Sequence, residues 1–238
     1  MAKINRKKLL KEPDEFLTFS ERAVNWGRDN AKIIIGIAAA LVLAVGAWVG
    51  LGAYFDYRQN QAANALANSF ENYAKGVEGK ADPAQEKAAR ESLAKVVEQY
   101  GATPAGIQAR LALGDMLLEQ GKYAEAEKVL NDLCEEPDLP AAMLPLAWHG
   151  LGLSLEGQKK FSEAASAYQS AMKEAGPALG NSFRLDLARA QEAAGDKQAA
   201  IQTYREAVAQ PPTPRALDFA RGRLVALGVD PAQVAKAN

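Results

Sequence analysis

Residues 33–55, from Ile33 to Phe55, form a run of 23 without one charged side chain, in a chain of 238 residues that is otherwise polar and rich in alanine. A helix apolar on every side has to be covered on every side, by protein or by lipid. At 1.5 Å per residue this run reaches roughly 34 Å, slightly more than the ~30 Å hydrocarbon core of a bilayer. Eleven of its positions are Ile, Leu, Val or Phe. Each favours insertion by about 0.3–0.6 kcal/mol at most, and no Asp, Lys or Arg opposes them. The sequence therefore reads as a single transmembrane helix over residues 33–55.

Flanking charge gives the helix a direction. Residues 1–32 carry eight Lys/Arg (Lys3, Arg6, Lys7, Lys8, Lys11, Arg22, Arg28, Lys32), whereas the twenty residues after Phe55 carry only Arg58 and Lys75. Positive flanks stay in the cytoplasm, so everything from Asp56 onward is expected on the far side, the periplasm in a bacterium. Tyr54, Phe55 and Tyr57 suit the outer interface and Trp26 the inner one. A cleavable signal peptide would export the same residues and is the competing reading. Its apolar core is ordinarily about 7–15 residues and ends in a small-residue cleavage site. The present run is longer, follows 32 residues and lacks such a site.

Within the basic leader, 1–32, Phe16, Phe19, Ala23 and Trp26 fall near one face of a helix over Pro13 to Arg28, the pattern of an amphipathic helix on the inner leaflet. A floppy basic leader is the alternative. Inside the span, Gly46 and Gly50 form G-x-x-x-G, with Gly36, Ala40 and Ala44 at four-residue spacing. Such positions let a second copy or another membrane protein pack closely, although a span rich in Gly and Ala produces them by chance as well.

The formal net charge of −1 divides unevenly. Eight bases against five acids leave +3 over residues 1–32, and twenty against twenty-four leave −4 over 56–238. The exported part has no basic footprint, which argues against DNA or RNA partners. Cys134 is the only cysteine, so an internal disulfide, a cysteine-based zinc site and a c-type haem site are excluded. On the apolar side of a predicted helix it reads as a small buried hydrophobe. His149 is the only histidine, and no partner groups converge on it in sequence, so neither catalysis nor a cofactor or metal is expected. Glu135 with Glu136, and Glu91 with Asp82, read as solvated helix ends and loops.

From Arg58 on, the chain reads as helices punctuated by Gly and Pro, with no alternating strand pattern. Comparing the chain with itself shows a recurring unit. Leu113-Gly114, then Gly121-Lys122-Tyr123-Ala124-Glu125-Ala126 and Leu130, recurs as Leu151-Gly152, then Lys160-Phe161-Ser162-Glu163-Ala164 and Tyr168. It returns as Leu187-Ala188, then Gly195-Asp196-Lys197-Gln198-Ala199-Ala200 and Tyr204. The third copy departs at Ala188, where glycine is expected, and at Lys197, where an aromatic is expected.

This unit resembles the tetratricopeptide repeat, whose 34 residues make a helix, a turn and an antiparallel helix. The resemblance implies that Gly114 and Gly152 lie where a first helix meets its partner. Ala126, Ala164 and Ala200 do the same from the second helix, while Tyr123 and Phe161 fill the wedge between repeats and Trp148 takes a bulky slot. Pro137, Pro140, Pro177, Pro211 and Pro212 close the units. The expected architecture is all-α: a single transmembrane helix, then a helical-hairpin solenoid. Residues 56–106 form a connector and a degenerate first repeat with Ala89 in register. Residues 107–212 form the repeats, and 213–238 a capping helix and tail, because terminal repeats need a cover.

In the family, the concave surface comes chiefly from the first helices. The resemblance carries it onto Gln108, Leu111, Asp115, Leu118, Leu146, His149, Leu153, Glu156, Ser182, Leu185, Arg189 and Glu192. The Lys and Asn clamp by which the family holds acidic C-termini is absent, since those positions are Leu111, Asp115, His149 and Leu153. A partner segment with apolar anchors is expected instead, unless the protein's own flanking helices cover these leucines. Basic leader, single span and exported repeat domain together resemble the ancillary subunits of the SecYEG translocon. That resemblance implies a non-enzymatic inner-membrane adaptor between the translocon and periplasmic chaperones, anchored once with its N-terminus in the cytoplasm. A scaffold for another envelope machine, in division, peptidoglycan synthesis or cytochrome assembly, fits the same layout, and so does self-association through Gly46 and Gly50.

Overall fold

The computed structural model describes residues 15–77, 83–210 and 213–235. The first fourteen residues of the leader, Asp82 and its connection, Pro211, Pro212 and the last three residues lie outside the described residues. Every regular element among the described residues is helical. In chain order they are α1 (Glu15–Asp29), α2 (Ala31–Val77), α3 (Pro83–Tyr100), α4 (Pro104–Glu119), α5 (Tyr123–Cys134), α6 (Leu144–Gly157), α7 (Phe161–Ala193), α8 (Lys197–Ala209), α9 (Pro214–Ala226) and α10 (Pro231–Ala235). They divide into two compact units, Met1–Tyr57 and Arg58–Asn238.

In the first unit, α1 ends where Asn30 turns its side-chain amide back to donate to the Trp26 carbonyl at 2.8 Å. Phe19, Val24 and Trp26 are exposed on it. The apolar stretch of α2 follows and is open along its length: Leu43 is 74% exposed and Trp48 81%. This helix is long and apolar enough to cross a membrane, and no residue of its most apolar window is buried.

The second unit is a stack of helical hairpins. The distal part of α2 pairs with α3, α4 with α5, α6 with the first half of α7, and the second half of α7 with α8, with α9 packed on α8. Helix α7 is two helices in fact. Gly176 interrupts it with φ 66° and ψ −179°, a conformation open to glycine alone, and Pro177 follows. The starts of α4, α8 and α9 carry side-chain caps, whereas those of α5, α6 and α7 do not. Thr103 and Thr213 accept from the N–H of Gly106 and Ala216 at 3.1 Å, each ahead of a first-turn proline, and Asp196 caps α8.

The core is built on one register. Ala89, Ala126, Ala164 and Ala200 are all completely buried, and four residues later so are Leu93, Leu130, Tyr168 and Tyr204. Each large side chain fills the space that a small residue leaves on a first helix. A Cβ on Gly114 would stand 2.5 Å from Leu130, and one on Gly152 would stand 2.5 Å from the Tyr168 ring. Ala188, in the third copy, is buried in the same cluster as Tyr204, so that junction accommodates a methyl. Tyr123 lies against Gly157 of the following hairpin, whose missing Cβ would meet its ring at 2.4 Å. After Gly228, the tail forms α10 and buries Val229 and Val234 in the cluster around Tyr204.

The first helices end alike. Gly121, Lys159 and Gly195 all have positive φ, 69°, 64° and 86°. At each, this residue donates to the carbonyl three back, and the next residue donates to the one five back: Leu118 and Leu117, Glu156 and Leu155, Glu192 and Gln191. This is the paired hydrogen-bond pattern of a left-handed helix end, which favours glycine. Lys159 carries the steric cost of a Cβ there. Lys159→Gly is therefore expected to raise unfolding stability by roughly 1 kcal/mol, measured by urea titration. Gly152→Ala, which pushes a methyl into the buried Tyr168 ring, is expected to lower it by about 1–3 kcal/mol in the same titration.

Candidate protein-binding groove

The first helices α4, α6 and the second half of α7 carry all twelve residues singled out from the sequence for the groove. Gln108, Asp115, Leu146 and Ser182 are exposed on them, and Leu111, Leu118, Leu153 and Leu185 are half-buried. The first three of these leucines pack on the main core cluster, and Leu185 on the cluster around Tyr204. The chain's own helices thus cover part of the leucine surface, but Leu146 remains 40% exposed.

His149, Glu156, Arg189 and Glu192 are engaged with one another and with neighbours. The Tyr168 hydroxyl donates to Glu156 Oε2 at 2.7 Å, and Arg189 Nη2 reaches both Glu156 oxygens at 3.2 Å and Asp186 Oδ1 at 3.1 Å. One hairpin on, the Tyr204 hydroxyl donates to Glu192 Oε2 at 3.1 Å, and Arg223 donates through Nε at 3.1 Å and also through Nη2. His149 Nε2 lies 2.9 Å from Asp186 Oδ2, and its ring stacks on Phe183 at 4.4 Å. Burial and hydrogen bonding to carboxylates hold both tyrosine hydroxyls well above the usual phenol range.

These ion pairs follow the repeat register. The residue after the small one is Asp115, Leu153, Arg189 and, on the capping helix, Arg223 after Gly222. Facing them from the preceding hairpin stand Leu93, Leu130, Tyr168 and Tyr204. At the last two junctions a glutamate bridges tyrosine and arginine. At the second junction the same three positions are Leu118, Leu130 and Leu153, an apolar version of the triad. Sequence reasoning missed Tyr168, Asp186, Tyr204 and Arg223 as polar partners. The signal was present, because Glu156 and Glu192 each precede a repeat tyrosine by twelve residues, and Gly222-Arg223 continues the register into the cap.

Two depressions open on this face. One is lined by Leu118, Tyr123, Leu153, Glu156, Gly157 and Arg189, the other by Phe70, Leu93, Ala112, Asp115, Met116 and Glu119. Cys134 is half-buried, and its thiol is pushed up to about 12 by burial and by Glu135, which leaves it protonated and poorly nucleophilic at neutral pH. Among the described residues, no three of His, Cys, Asp and Glu gather as a metal site would require. Gly46 and Gly50 are exposed on α2, and a Cβ on either would meet nothing within 4 Å.

Residues 25–144 match the family of tetratricopeptide repeat-like domains, and residues 149–214 match the tetratricopeptide repeat. The chain belongs to the tetratricopeptide repeat-like family. Neither match singles out the ancillary translocon subunits, and no curated protein matches the chain. Among solved structures, it is similar to a Podosopora anserina chain described as putative kinesin light chain nearly identical TPR-like repeats. The two are 16% identical with a TM-score of 0.51, over 76% of this chain and 87% of that one. A single-substitution variant of the same repeats matches at 17% and 0.52, over 76% and 86%. At such identity the likeness concerns the fold alone, an all-helical repeat solenoid. Tetratricopeptide repeats generally mediate protein–protein interaction.

The carboxylates in these junctions make stability pH-dependent. The Arg223 guanidinium, helped by the Tyr204 hydroxyl, holds Glu192 below the usual carboxylate range, and Lys160 with Gln158 does the same for Glu127. A carboxyl group depressed in the folded state stabilises fully above its unfolded value of about 4.3, and that contribution is lost as pH falls through the lower folded value. Wild type is expected to lose stability progressively below pH ~4.3. Glu127→Gln combined with Glu192→Gln should be less stable at neutral pH by about 1 kcal/mol and lose less on acidification, measured as melting temperature against pH.

Proposed function

We propose that this protein is a membrane-anchored adaptor. The apolar segment 33–55 of α2 crosses an inner membrane once, with the basic leader in the cytoplasm. The repeat domain from Asp56 onward stands in the periplasm and holds segments of partner proteins along its first-helix face. The observation that carries the reading is the pairing of an apolar helix whose most apolar window has no buried residue with a repeat domain whose family serves protein–protein interaction. The match over residues 25–144 includes the apolar segment, which supports reading that segment and the first hairpins together. Eight cationic residues before the span and two in the twenty residues after it support the orientation.

The partners that fit this layout are the protein-conducting channel on the membrane side and periplasmic chaperones on the groove side. The groove is lined by Leu111, Leu118, Leu146, Leu153 and Leu185, flanked by Gln108, Asp115 and Ser182, and suits a helix or extended segment with apolar anchors. His149, Glu156, Arg189 and Glu192 stiffen it from within. Gly46 and Gly50 offer the span a close-packing face, for a channel subunit or a second copy. The second reading, a scaffold for another envelope machine, keeps the topology and exchanges the partners.

A mild-detergent pull-down of the full chain from native membranes, beside a version lacking residues 1–55, separates the two. The adaptor reading expects channel subunits with the anchored form alone and periplasmic chaperones with both. Recovery of division, cell-wall or cytochrome-assembly proteins in their place supports the second reading and overturns the first.

A further inference from the structure

Four junctions follow one another along the stack, three between hairpins and one with the capping helix, and they differ in what fills the same positions. At the third and fourth, the position after the small residue carries Arg189 and Arg223, each neutralised by a glutamate that also takes a tyrosine hydroxyl. At the second, the three equivalent positions are Leu118, Leu130 and Leu153, and the charged pair that crosses this junction, Lys160 with Glu127, lies apart from them. At the first, that position is Asp115, facing Leu93 across a pocket of about 180 Å³ with Phe70, Ala112, Met116 and Glu119 as its other walls. Phe70 stands 44% exposed at its edge.

Asp115 differs from the other carboxylates of this face. Glu156, Asp186 and Glu192 each have a cationic partner within 3.2 Å or in direct contact. Asp115 has no hydrogen-bond or ion-pair partner among the described residues. Although Asp115 keeps exposed surface, the protein packed around its carboxyl partly desolvates it and raises its pKa, the nearby Glu119 raises it further, and His149 offsets this only in part. A cation brought to this rim would relieve both effects.

We infer that the pocket between α2 and α4 receives an apolar side chain of a partner protein segment in which the next residue is Lys or Arg, whose cation Asp115 holds. The inference rests on the groove reading above and gives it a chemical preference. The size of the pocket fits one ring or branched aliphatic group, being comparable to the roughly 150 Å³ apolar cavity known to take up benzene. Its floor, Leu93, Ala112 and Met116, is apolar, and its rim carries the charge. The occupant supplies the cation that Arg189 and Arg223 supply from within the chain at later junctions, so ligand and junction chemistry are the same.

The test uses the full chain in detergent micelles and fluorescence anisotropy with three short Gly/Ser-flanked peptides, centred on Phe-Lys, Ala-Lys and Phe-Glu. Phe-Lys is expected to bind best. Ala-Lys should be weaker by about tenfold or more, since it leaves the pocket empty, and Phe-Glu by roughly fivefold, the scale of an exposed charge pair. Asp115→Lys should invert the preference between Phe-Lys and Phe-Glu. Asp115→Asn, which changes charge with almost no change in shape, should abolish it, with circular dichroism reporting that both variants fold. If the peptides bind and Leu153→Asp weakens them while both Asp115 variants leave the Lys-to-Glu ratio unchanged, the pocket assignment is overturned and the groove reading stands. If none of the three binds, both are overturned.

Discussion

The repeat domain depends on one steric constraint, the closeness with which a first helix and the second helix of its hairpin approach each other. Leu130 and Tyr168 occupy the volume left by Gly114 and Gly152, and Ala126 and Ala164 let the partner helix close from its own side. Burial of a leucine or tyrosine contributes on the order of 2 kcal/mol, but only while the small residue opposite stays small. Repeated at spacings of 38 and 36 residues, this contact sets where each hairpin ends and the next begins. It also fixes which residues of α4, α6 and α7 turn away from the core, and so composes the first-helix face before any partner is considered.

That face grades along the chain. Near the capping helix, tyrosine, glutamate and arginine tie successive hairpins through charge-assisted hydrogen bonds, which suits an end that has only α9 and α10 to shield its core. Towards the first hairpin the same positions turn apolar and then acidic, with Leu118, Leu130 and Leu153 followed by Leu93 and Asp115. The internally paired end is already satisfied, while at the other end Asp115 has no cationic partner among the described residues. The apolar stretch of α2, exposed throughout, presents a separate demand that only lipid or another apolar surface can meet.

Much of the fold was legible because its determinants are local and periodic. The uncharged run, the small–large alternation and the Gly121 and Gly195 helix ends are all visible as residue types at fixed spacing. Lys159 shows the limit: it takes the left-handed backbone angle of those glycines without their sequence signature, and the hydrogen bonds of Lys159 and Lys160 to Glu156 and Leu155 reveal it. Ala188 stands where glycine is expected from the other copies, yet it is wholly buried in the cluster that holds Tyr204. The twelve residues expected in the groove lie on α4, α6 and the second half of α7, and among them Glu156, Arg189 and Glu192 are tied to Tyr168, Tyr204 and Arg223. The arginine contacts join residues 31 and 33 apart across neighbouring hairpins. Only the register of the whole stack brings them together, and it runs on through Gly222-Arg223 into the cap.

The central claim is that an anchored repeat domain engages partner segments with its first-helix face. Site-specific photocrosslinking in intact cells tests it most directly, with the photoreactive residue at Leu146 on that face in one protein and at Lys128 on the second helix α5 in another. The account predicts discrete protein adducts from Leu146 and none above background from Lys128. Equal adducts from the two positions, or none from Leu146 while Lys128 captures a partner, would contradict it.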